Sequence, residues 1–185
     1  MNNKDLKVAV LGAGAMGCLF GGLLAEKGLN VTLIDVWKEH VEEINKNGLK
    51  MDGHGGDRFI KIPATSDPST IGKVDAVIVM CKATALEPAL KSIKNIIRDK
   101  TVFMSFQNGI GHEAIIKSIV GNEKVIGGTT TQASNILGPG HIMNHAALPS
   151  WIGEYDGGIT NRITEIADTF TAHNLDCLLY TSPSP

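Results

Sequence analysis

The run Val8-Ala9-Val10-Leu11-Gly12-Ala13-Gly14-Ala15-Met16-Gly17 puts three glycines at GxGxxG spacing, after a short apolar segment and before apolar residues at helical spacing. In a strand–turn–helix, Gly12 permits the tight turn, Gly14 lets backbone approach a ligand, and Gly17 allows the helix to lie close on the strand. Free N–H groups and the positive end of a helix dipole then face an anion. The chemistry implied is a diphosphate cradled by Gly12, Ala13, Gly14, Ala15, Met16 and Gly17. A second apolar run, Val31 to Ile34, ends in Asp35. A carboxylate there accepts hydrogen bonds from the ribose hydroxyls of NAD and meets a 2′-phosphate as a like charge. Unit charges ~4 Å apart at an effective dielectric of 20 repel by about 4 kcal/mol, unless a cation such as Lys38 intervenes. Two plainer readings stand beside these: a glycine-rich loop without a ligand, and an Asp35 that caps the next helix.

These residues need a framework, and the chain supplies the pattern for one. Met16, Phe20, Leu23 and Leu24 mark a helix stopped by Gly28, so the first segment is a βαβ unit. Trp37 to Asn47 reads as a second helix, and Leu49 to Ile62 as a surface hairpin with a solvated His54. Ala76 to Met80 is an apolar run suited to a parallel strand covered on both faces. Leu86, Leu90, Ile93 and Ile97 place a helix after it. Val102 to Phe106, Gly111 to Val120 and Val125 to Thr131 repeat the alternation as strand, helix, strand.

From Ser134 the segments shorten around Gly138-Pro139-Gly140, with His141 to Asn144 and Ala147 to Ile152 as antiparallel candidates at a mixed sheet edge. Ile159, Ile163, Ile166, Ala167 and Phe170 form the stripe of one more helix, and Asp176 to Leu179 suits a last strand. The order predicts an α/β fold, a Rossmann-like doubly wound, mostly parallel sheet with a mixed or antiparallel edge, over residues 1–176.

With 43% hydrophobic and 19% charged residues and a formal charge of -2, the composition is that of a globular protein and does not suggest nucleic-acid binding. No apolar stretch reads as a signal peptide or membrane span, and a cytoplasmic location is the default expectation. Cys18, Cys81 and Cys177 are widely spaced and read as small buried hydrophobes rather than disulfide or metal ligands. His112 beside Glu113, and His141 four residues from His145, lack a third ligand at suitable spacing, so no metal site is assigned. Trp37 and the threonines 129 to 131 are given no chemical role.

Together, Gly12-Ala13-Gly14-Ala15-Met16-Gly17, Cys81-Lys82-Ala83, Gln107-Asn108-Gly109-Ile110-Gly111 and Gly127-Gly128-Thr129-Thr130-Thr131-Gln132-Ala133-Ser134 resemble the ketopantoate reductase family over about residues 6–176. The resemblance implies reduction of 2-dehydropantoate to pantoate with NADPH, in pantothenate biosynthesis. It implies that Lys82 and Asn108 reach the cofactor near its ribose and nicotinamide, that Asn108 also touches the 2-keto acid substrate, and that Ser134 lines the cofactor side of the cleft. It leaves a homodimer of the full-length protein open.

The sequence departs from the family pattern at two points. Val36 stands where NADP-using members commonly carry an Arg, so Asp35 and Val36 favour NAD over the family's NADP. Val31 to Asp35, Trp37, His40, Asn47-Gly48-Leu49 and Gly111-His112-Glu113 are similar to the NAD-dependent D-2-hydroxyacid (D-mandelate type) dehydrogenases of the same family. The family's proton-donating Lys sits in a Trp-Arg-Lys-Leu-like segment opening a helical second domain, and nothing in this chain matches it. No catalytic residue is therefore assigned, and the expectation is a cofactor-binding half whose helical domain is missing, inactive on its own. The alternative is a non-catalytic dinucleotide-binding module. Residues 177–185, rich in Ser and Pro, read as adapter-derived sequence or a linker.

Overall fold

A computed structural model describes residues 6–107, 111–155 and 157–180. β1 (Lys7–Leu11) feeds α1 (Ala15–Glu26), which returns to β2 (Asn30–Ile34), parallel to β1 with Leu11 opposite Ile34. α2 (Lys38–Asn47), β3 (Leu49–Gly53), β4 (Arg58–Ile60) and the short β5 (Ala64–Thr65) follow. The chain then crosses to the other side of β1 as β6 (Ala76–Val79), α3 (Leu86–Ser92), β7 (Val102–Ser105), α4 (His112–Val120) and β8 (Val125–Thr130). β9 (Ser134–Gly138), β10 (His141–Asn144), β11 (Ser150–Gly153), α5 (Asn161–Ala172) and β12 (Cys177–Leu179) complete it.

The main sheet has the order β12-β11-β8-β7-β6-β1-β2-β5, and its one antiparallel pairing is β8 with β11. This is the Rossmann-like sheet with an antiparallel edge that the sequence predicts. Alternate residues of the central strands serve opposite faces, as strand pleating requires. Val8, Val10, Ala76 and Ile78 join the core beneath α1, α2 and α5, while Ala9, Leu11, Val77 and Val79 join the core beneath α3 and α4. Both faces are covered, which is why these strands read as unbroken apolar runs.

Four expectations need correction. The hairpin of β3 and β4 is not merely a surface feature, and β10 does not join the main sheet's edge. They form a second sheet, ordered β4-β3-β10-β9, in which β10 runs parallel to β3. That sheet packs on α1, and Gly21 and Gly22 make the fit possible. A Cβ on Gly21 would meet Leu33 of the main sheet at 2.6 Å, and one on Gly22 would meet Met51 of the second sheet at 2.8 Å. Thus α1 lies close between two sheets, and a side chain at either glycine would have to push the end of Leu33 or Met51 aside.

The helix expected to reach Ile97 ends at Ser92. Beyond it a tight turn buries Ile93 and Ile96, and the Ile96 carbonyl accepts from Val74 N–H at 2.9 Å, anchoring the entry to β6. Ile159 lies outside α5 and is 62% exposed, because Thr160 caps the helix by accepting from Ile163 N–H.

Candidate functional site: the crevice at the strand ends

The chain leaves β1 toward β2 on one side and returns to β6 on the other, so the carboxyl ends of β1 and β6 border a topological switch point. In an open α/β sheet this is where ligands bind. The glycine turn lies there, stitched to both neighbours: Gly12 N–H donates to the Ile34 carbonyl and Met80 N–H to the Leu11 carbonyl, each at 2.8 Å.

The three glycines face different surroundings. Gly12 has φ +100°, and a Cβ on it would lie 2.5 Å from the Cys81 nitrogen. A Cβ on Gly17 would lie 1.9 Å from the Gly12 carbonyl oxygen. Around Gly14 nothing approaches within 4 Å of where a Cβ would stand. Gly14 is the N-cap of α1, provides no side-chain cap, and has no acidic residue in the turn that follows. The first N–H groups of a helix have no intrahelical acceptor. Here they open on the unobstructed side of Gly14, which a Cβ would fill and a diphosphate fits.

Asp35 lies beside this turn. Its Oδ2 accepts from Ala13 N–H at 2.7 Å and its Oδ1 from Trp37 N–H at 3.0 Å. The N-cap of α2 is Trp37 and has no side-chain cap bond, so Asp35 does not act as that helix's cap. An ionised carboxylate offers about four lone-pair positions, so two bonds leave room for ribose hydroxyls. Val36 beside it is 90% exposed.

Beneath the turn is a buried group that the sequence reading named only as part of a resemblance, without a chemical role. His40 is fully buried and stacks on Trp37, with ring centres 4.8 Å apart. Its Nδ1 accepts from Gly140 N–H at 2.9 Å, and its Nε2 lies 3.3 Å from Cys18 Sγ, which itself donates to the Ala13 carbonyl at 3.1 Å. Burial pushes its pKa below the ordinary histidine value, opposed by the nearby Asp35 charge and the Ala13 backbone. Burial likewise pushes the Cys18 and Cys81 thiols up, so neither is a poised nucleophile.

Of the remaining positions, Lys82 is exposed just beyond β6, and Asn108 lies outside the described residues. Gln107 donates from its side-chain amide to the Cys81 carbonyl, tying the loops after β7 and β6 together. Ser134 opens β9, and its hydroxyl is buried with no hydrogen-bond partner among the described residues, as is Gln132 Oε1. No motif reading marks Gln132 as unusual, because its burial depends on Leu148, whose carbonyl takes its amide N–H. His141 and His145 turn to separate partners, Asp52 and Asn135. Among the described residues no group of three or more His, Cys, Asp or Glu side chains is arranged to hold a metal ion. A cavity of about 950 Å³ opens at the opposite ends of the strands, near Asp75, Val102, Lys124 and Ile166. It is remote from the glycine turn, and its Asp75 already pairs with Arg98 at 2.9 Å.

The family profile for ketopantoate reductase PanE/ApbA matches residues 8–157. The chain is 38% identical over 171 residues to 2-dehydropantoate 2-reductase of Pyrococcus horikoshii, covering 92% of this chain and 55% of that protein. It is 36% identical to the Lactococcus lactis enzyme of the same name, over 73% of this chain and 44% of the relative. Among solved structures, D-mandelate dehydrogenase with NADH and anilino(oxo)acetate superposes with a TM-score of 0.88 at 32% identity, over 95% of this chain and 57% of that one. The 2-dehydropantoate 2-reductase of Geobacter metallireducens gives 0.87 at 31%, over 95% and 58%. The chain thus spans about half the length of the relatives it matches, and it belongs to the ketopantoate reductase family.

Proposed function

We propose that this chain is the cofactor-binding half of an NAD(P)H-dependent 2-keto-acid reductase, with 2-dehydropantoate as substrate and pantoate as product. The observation that carries the reading is the open side of Gly14 at an α1 terminus without a side-chain cap, placed at the switch point between β1 and β6. In this reading Gly12, Ala13, Gly14, Ala15, Met16 and Gly17 hold the diphosphate, and Asp35 takes the adenosine ribose. Lys82, Asn108 and Ser134 serve the other half of the dinucleotide, and Asn108 also contacts the keto acid. The cofactor supplies the hydride when bound.

What the chain itself contributes is position. The turn is fixed from below by its glycine contacts, and Asp35 is fixed by two backbone N–H groups, so neither reorganises much when a ligand arrives. Reduction of a ketone also needs a proton donor near the carbonyl oxygen. No side chain of this chain is assigned that task.

Asp35 and the exposed, uncharged Val36 favour NAD over NADP, since a 2′-phosphate would meet the carboxylate without an adjacent arginine. The same pair supports a second reading, an NAD-linked D-2-hydroxyacid dehydrogenase. Calorimetric titration with NADH and NADPH tests the cofactor assignment. The expected result is saturable binding of both, with NADH tighter by about tenfold or more. Failure of both dinucleotides to bind overturns the proposal.

A further inference from the structure

His40 does nothing that the cofactor reading requires, yet it is the most heavily engaged buried polar side chain near the turn. Gly140 N–H donates to Nδ1, which places the ring proton on Nε2. That proton faces Cys18 Sγ at 3.3 Å, and the Cys18 thiol in turn donates to the Ala13 carbonyl at 3.1 Å. Across the same residue, Ala13 N–H is taken by Asp35. The peptide joining Ala13 to Gly14 is therefore gripped by its carbonyl.

In a trans peptide the carbonyl and the following N–H point in opposite directions. With the Ala13 oxygen drawn inward to the Cys18 thiol that His40 holds, the Gly14 N–H is turned outward. It donates to no described residue, and nothing stands within 4 Å of where a Gly14 Cβ would project. We infer that His40 is a positioning residue for anion binding: by donating to Cys18 it orients the thiol that draws the Ala13 carbonyl inward and thereby aims the Gly14 N–H at a diphosphate. The second sheet takes part, because Gly140, in the turn between β9 and β10, fixes the tautomer that allows His40 to donate. The inference deepens the dinucleotide reading and rests on it.

The test compares NADH, which carries the diphosphate, with adenosine, which does not, on this chain and its variants. His40→Leu is expected to weaken NADH about fivefold or more while adenosine binding stays at the parent's level. His40→Gln, whose amide N–H can stand in for Nε2–H, is expected to recover NADH affinity to within about twofold of the parent. Equal weakening of NADH and adenosine by His40→Leu, or no weakening of either, overturns the inference. So does a His40→Gln variant that binds NADH no better than His40→Leu. Should His40→Leu fail to fold, nitrogen-15 spectra of the parent imidazole decide: a proton on Nε2 supports the inference and one on Nδ1 overturns it. If the parent binds adenosine but not NADH, the dinucleotide reading itself falls, an outcome separate from all of these.

Discussion

Gly14 and Gly17 are three residues apart in one turn, yet they meet opposite surroundings. Gly17 faces inward, where a Cβ would collide with the Gly12 carbonyl at 1.9 Å; Gly14 faces outward into space with no atom within 4 Å. The packed side holds the turn in shape, and the open side gives that shape something to bind. The two ends of the helical layer differ in the same way. α5 begins with Thr160, whose hydroxyl accepts from Ile163 N–H, whereas α1 begins with a glycine that can cap nothing. At α5 a side chain takes up a free donor of the first turn; at the crevice the donors of α1 are left available.

Substitutions should split along that line. Gly17→Ala is expected to have the largest effect, a loss of about 3 kcal/mol or more, because the colliding atom is backbone and cannot move aside. Denaturant unfolding measures it. Gly14→Val is expected to leave stability within about 1 kcal/mol of the parent, since Gly14 has φ -66° and open space. The same change should weaken NADH by more than about tenfold in a calorimetric titration. If Gly14→Val unfolds the chain and Gly17→Ala does not, the assignment of the two sides is reversed.

Asp35 touches both functions, so its removal sharpens the comparison. Asp35→Ala is expected to narrow the preference for NADH over NADPH by about tenfold, through loss of ribose acceptors and of repulsion toward a 2′-phosphate. Unchanged relative affinities would make Asp35 a turn-holding residue alone.

The smallest effect concerns pH. His40 is held below the ordinary value of 6.5 by burial, so the unfolded chain binds the proton more readily than the folded one. Its contribution is complete above about pH 6.5 and is lost as the pH falls through the window below that value. Unfolding midpoints at pH 7.5 and 5.5 should fall more for the parent than for His40→Gln. Equal falls would show that His40 is not the titrating group.

The β1–α1–β2 unit was legible because everything that defines it is local: a strand, three glycines, a helical stripe and an acidic strand end within residues 7–35. The alternation of apolar runs with helical stripes likewise gave the wound sheet. The second sheet was not legible, because the pairing of β3 with β10 joins segments about ninety residues apart and leaves no periodic trace. For the same reason the contacts of His40, a residue the sequence named only through a resemblance, were not legible: its partner Gly140 is one hundred residues away. Asp35 was found by position, but its bond to Ala13 depends on how the turn folds back. The amide of Gln132 donates to Leu148, a contact sixteen residues away that leaves its oxygen buried and unpaired and has no trace in the local sequence.

The most direct measurement is an amide proton–nitrogen NMR titration of this chain with NADH. The largest shifts are expected at Gly14, Ala15 and Met16, with smaller ones at Trp37 and Lys82, and Gly14→Val should abolish them. Saturable binding that leaves the Gly14, Ala15 and Met16 amides unmoved while shifting a different part of the chain would contradict the account.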